Sequence, residues 1–64
     1  MDLEFTVPSI VCDRCAQTVT QAIQGVDGQA QVTINVDSKQ VKVHTIASLA
    51  DLTAAIENVG HEIA

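Results

Sequence analysis

Aromatic residues are almost missing from this chain of 64 residues: Phe5 stands alone, with no Trp and no Tyr. No platform exists on which nucleic-acid bases could stack. Positive charge is scarce as well, since Arg14, Lys39 and Lys42 face eight acidic residues for a net charge of −5. Without a basic patch to neutralise phosphates, nucleic acid is disfavoured as a partner. An acidic surface suits docking to a more basic protein, or serves simply for solubility. Long apolar runs are lacking too. None approaches the roughly 20 residues that span a bilayer, so no membrane insertion is expected. The opening Met1-Asp2-Leu3-Glu4 is acidic where a secretion signal would be basic.

Cysteine is limited to two residues, Cys12 and Cys15. They close too small a loop to act as a structural staple. That counts against a disulfide-stabilised secreted scaffold and favours a reducing compartment, with the cytoplasm as the default location.

What is present is aliphatic: 47% of residues are hydrophobic. The core must be built from Val, Ile, Leu and Ala, and the length allows one small domain. Leu3, Phe5 and Val7 alternate with Asp2, Glu4 and Thr6, the period of a half-buried strand. Pro8 ends it. From Asp13 the period becomes helical, with Ala16, Val19, Ile23 and Val26 on one face and Gln17, Gln21 and Gln24 opposite. Gly25 and Gly28 mark the stop. Val32, Ile34 and Val36, then Val41 and Val43, give two strands joined by a turn at Asp37-Ser38-Lys39. Ser48 and Asp51 resemble a capping box that opens a second helix, with Leu49, Leu52, Ile56 and Val59 as its apolar stripe and Gly60 as its cap. Glu62-Ile63-Ala64 is long enough for a short edge strand.

The order is βαββαβ. One apolar face per element predicts an α+β, ferredoxin-like domain, with two helices packed on one face of a four-stranded antiparallel sheet. In that topology three connections share one end: the Cys12–Cys15 loop, the Asp37–Lys39 hairpin and the Gly60–His61 turn. His61 is then expected near the cysteines, as a third ligand or a titratable neighbour, although a bare turn histidine is an equally good reading. His44 is expected far away on the polar face, as a solvated strand residue.

Two thiols at this spacing can grip one soft metal ion or close a redox disulfide. Cys15 falls in the first helical turn, where free N–H groups and the helix dipole favour a thiolate. Arg14 adds positive charge, and its plainer reading is an ordinary surface residue. Two thiolates from one loop suit Cu(I) in near-linear or three-coordinate geometry. Structural zinc prefers four ligands, and the two histidines lie outside zinc-finger spacing. A redox pair is the second reading, though the usual redox framework is longer. Carriage of another soft metal (Zn, Hg or Cd) is a third.

A strand followed by Cys-x-x-Cys at the start of a helix, in a βαββαβ chain of this length, resembles the heavy-metal-associated domain family. The resemblance runs from Leu3 to Ile63 and makes 1–64 one such domain. The family motif Gly-Met-x-Cys-x-x-Cys is met here by Ser9-Ile10-Val11-Cys12-Asp13-Arg14-Cys15. Metal ligation carries over to Cys12 and Cys15, while Ile10 stands where the family has an apolar Met under the loop. Where bacterial members often have Gly-Tyr after the second helix, this chain has Gly60-His61. The resemblance implies a non-enzymatic, cytosolic copper chaperone that delivers Cu(I) to the metal-binding domains of copper-transporting P-type ATPases. A copper-bridged homodimer is a further expectation, and a metal-binding domain of a transporter is the alternative to the stand-alone protein that Met1 favours.

Overall fold

A computed structural model describes the chain from Asp2 to Ala64. Strand β1 covers Asp2–Thr6, helix α1 Asp13–Val26, β2 Gln31–Asn35, β3 Gln40–His44 and helix α2 Leu49–Asn58. The sheet runs β1-β3-β2, with both pairings antiparallel. Its period-two pattern sorts the faces. Val41 lies between Phe5 and Ile34, and Val43 between Leu3 and Val32. Lys42 lies between Glu4 and Thr33 on the other face.

The apolar face is covered by the helices. Val19 and Ile23 of α1, and Leu52 and Ile56 of α2, are fully buried against Val7, Ile10, Val41 and Val43. Each such side chain is worth about 1.5–3 kcal/mol when fully buried. The expected stripes are wider than the real ones. Val26, Leu49 and Val59 are exposed, because these helices are short and their end residues project beyond the sheet.

The expected fourth strand does not form, and the described residues contain a three-stranded sheet. The segment after α2 comes alongside β1, where Ala64 N–H donates to the Thr6 carbonyl at 2.9 Å. Ile63 packs against the core. One such bond does not make a ladder, which needs repeated pairing along both strands.

The helix ends are set by local chemistry. Ser48 caps α2 by accepting from Asp51 N–H at 3.1 Å. Gly60 takes φ +92°, with Gly60 N–H bonded to the Glu57 carbonyl and His61 N–H to the Ile56 carbonyl. That is the Schellman arrangement, which needs a left-handed residue and so favours glycine. Helix α1 ends differently. Gly25 lies inside it, and Asp27 caps it in an extended conformation, so neither glycine forms a left-handed cap there.

Candidate metal site

The loop before α1 is a tight turn on two buried anchors. Val7 and Ile10 are both fully buried, and Ile10 N–H donates to the Val7 carbonyl at 3.1 Å. Pro8 fits the second position of such a turn because its ring fixes φ. Beyond Ile10 the chain leaves the core. Val11 is 68% exposed and Cys12 is exposed.

Cys12 is the N-cap of α1, with φ −157° and ψ 170°. Ser, Thr, Asp or Asn usually occupies that position, where a side-chain oxygen accepts from the second or third helical N–H. Here a sulfur stands in its place and forms no cap hydrogen bond. The unpaired donors still act on it. The Cys15 N–H, then the Cys15 thiol, hold the Cys12 thiol below its ordinary pKa; desolvation opposes them, and the Arg14 N–H and guanidinium add smaller effects in the same downward direction. Cys15 sits one turn inside the helix, half-buried and packed on the core. The Cys12 thiol points at the Cys15 sulfur, with 3.4 Å between the two. Both are free thiols, since a disulfide requires about 2.05 Å. The pair therefore combines one fixed sulfur with one on an exposed loop.

His61 reaches the same end of the molecule by another route. The Schellman turn after α2 carries it over the loop, where its Nδ1 lies 2.5 Å from Ser9 Oγ. Among the described residues no group of three His, Cys, Asp or Glu side chains is close enough to hold one metal ion. His61 is thus tied to the cysteine loop but not gathered with the two sulfurs. His44 lies at the opposite end of the sheet, exposed, with Nδ1 2.6 Å from Asp2 Oδ1. The carboxyl of Asp2 is held below its usual pKa by that imidazole.

Two participants escaped the sequence reading. Ser9 carries no signal beyond its place after Pro8. Lys39 donates from Nζ to the Ile10 carbonyl at 2.8 Å; the topology put its hairpin at the cysteine end, but nothing in the sequence marked its side chain as a partner of the loop.

The heavy-metal-associated domain model matches residues 4–62. The copper chaperone for superoxide dismutase of Homo sapiens is 32% identical over 60 residues, which is 94% of this chain and 22% of that protein. The chain thus spans about a fifth of the length of that curated relative. Among solved structures, the copper chaperone Atx1 from Synechocystis PCC6803, in a trimeric variant form, superposes with a TM-score of 0.94. It shares 37% identity, over 97% of this chain and 98% of that one. A cyanobacterial copper metallochaperone solved in solution, ScAtx1, gives 0.83 at 39% identity, with both chains covered in full. Among the described residues no helix is long and apolar enough to cross a membrane.

Proposed function

The chain belongs to the heavy-metal-associated domain family, and from that premise we propose that it is a non-enzymatic copper chaperone. Cu(I) is its cargo. The observation that carries this reading is the sulfur pair, 3.4 Å apart at the start of α1, in a fold shared with copper chaperones at 37–39% identity. Cys12 and Cys15 bind one Cu(I) as thiolates and release their protons on doing so. Soft thiolate ligands select Cu(I) over harder ions. A near-linear site requires the sulfurs to open apart, and the exposed Cys12 is the one free to move.

Delivery follows from the same asymmetry. Thiolates of a partner add to the exposed ion while Cys15 still holds it, and the two donor sulfurs then leave in turn. The copper stays Cu(I) throughout, so no electrons are exchanged. The partner is the metal-binding domain of a copper-transporting P-type ATPase in the cytoplasm, and a second copy of this chain can occupy the same position in a copper-bridged dimer. His61 is the third ligand of the proposed set. It is already bonded to the loop through Ser9, and a swing away from that hydroxyl frees Nδ1.

The test is a titration of the reduced chain with Cu(I) against a competing chelator. One ion per chain is expected, with Cys12→Ser and Cys15→Ser abolishing retention. A chain that retains no copper but turns over a disulfide substrate would be a redox protein instead.

A further inference from the structure

Lys39, in the hairpin between β2 and β3, has a left-handed backbone with φ +62°. Glycine, asparagine and aspartate occupy that region most readily, and a lysine there carries a steric cost. Its side chain is engaged as well. The ammonium donates to the Ile10 carbonyl at 2.8 Å, from 29 residues away in sequence. The Lys39 carbonyl accepts from Val7 N–H at 2.9 Å. One residue therefore holds both ends of the Val7–Ile10 turn. Ile10 is the last buried residue before the chain emerges to Cys12, so its carbonyl is the last fixed point before the thiols. A hydrogen bond from an ammonium is stronger than one between neutral groups.

The distribution of charge points the same way. The chain has three cations against eight acidic residues, yet two of the three stand at the thiol end. Arg14 lies between the cysteines, and Lys39 is bonded to the loop. Two thiolates around one Cu(I) leave a net negative charge. A cation within a Debye length, about 10 Å at 0.1 M salt, stabilises it.

We propose that Lys39 is a positioning residue for the Cys12–Cys15 pair, clamping its loop to the β2–β3 hairpin through the Ile10 carbonyl and setting a cation beside the site. The copper consequence rests on the function proposed above, whereas the clamp can be read without metal. The reduced 64-residue chain is compared with Lys39→Met, which keeps most of the stem and loses the donor. Lys39→Gly loses the donor but relieves the left-handed backbone, and Lys39→Arg keeps a cationic donor. Hydrogen exchange at the Val7 and Ile10 amides reads the clamp, and Cu(I) retention against a chelator reads the site.

Both the Met and the Gly variants should exchange about tenfold faster at Ile10 and retain Cu(I) severalfold less well, with Lys39→Arg restoring both. If Lys39 were only a turn residue, Lys39→Gly would behave as wild type, and that result overturns the proposal. Unchanged exchange in Lys39→Met overturns the clamp. Faster exchange with unchanged Cu(I) retention overturns the positioning role. Wild-type protein that binds no Cu(I) defeats the copper function, while the exchange data still decide whether the clamp exists.

Discussion

Ser9 Oγ and His61 Nδ1, 52 residues apart in the chain, lie 2.5 Å from each other and join the loop before the cysteines to the turn after α2. The contact is at the surface, so it contributes no more than about 1 kcal/mol net. Ser9→Ala should therefore alter Cu(I) retention by less than about fivefold. His61→Phe, which deletes the proposed ligand, should lower retention more than Ser9→Ala does. Competition with a chelator measures both. Equal retention by His61→Phe and wild type would remove His61 from the ligand set.

The Cys12 thiol should titrate below a free cysteine, because N–H groups at the start of α1 and the Cys15 thiol favour its thiolate. Cys15→Ala deletes the thiol but keeps the backbone N–H, the larger cause. In that variant the midpoint of Cys12 should rise above the wild-type value yet remain below that of free cysteine. The pH dependence of alkylation measures it. A midpoint at or above that of free cysteine in the wild type would refute the N-cap account.

Ile10 is completely buried beneath the loop. Ile10→Ala should cost about 2–5 kcal/mol, most of what a domain of this size holds in reserve. Ile10→Met nearly conserves volume and should cost less than about 1.5 kcal/mol. Thermal unfolding separates the two. A mild Ile10→Ala variant would mean that the loop is not anchored through this side chain.

Asp27 ties the end of α1 to the segment after β3. Its carboxylate accepts from Thr45 Oγ1 at 2.6 Å and from Gln29 N–H at 3.0 Å, and these bonds hold its pKa below the ordinary carboxylate value. Folding stability from a depressed carboxylate is fully present above the unfolded pKa of about 3.9 and is lost as pH falls through the lower folded value. Asp27→Asn should therefore lower the Tm at pH 7, and the difference from wild type should shrink as the solution is acidified below about pH 4. A difference that stays constant down to pH 2 would show that ionisation plays no part.

Much of this was readable from local patterns. Alternation at Leu3-Phe5 and at Val41-Val43, and helical spacing at Val19-Ile23 and Leu52-Ile56, are properties of a few neighbouring residues. They correctly marked five elements and the ferredoxin-like order. The Cys-x-x-Cys spacing likewise put both thiols at a helix start. The pattern failed at the margins. Leu49 and Val59 have the right spacing but lie at the ends of a ten-residue helix, where the sheet no longer covers them. Glu62-Ile63-Ala64 has strand-like alternation, but a strand exists only where a partner offers successive bonds, and Thr6 offers one.

By itself, the order of residues determined five elements and the sulfur pair, because period and spacing act over short stretches. The βαββαβ order already pointed the Asp37–Lys39 hairpin and the Gly60–His61 turn to the cysteine end; tertiary structure alone decided which atoms meet there. Ser9 meets His61 across 52 residues, and Lys39 meets Ile10 across 29. Such contacts depend on how antiparallel strands bring remote turns to one end of the sheet and on where each side chain then points. What surrounds Cys12 and Cys15 is set by that convergence, through atoms whose partners no local pattern specifies.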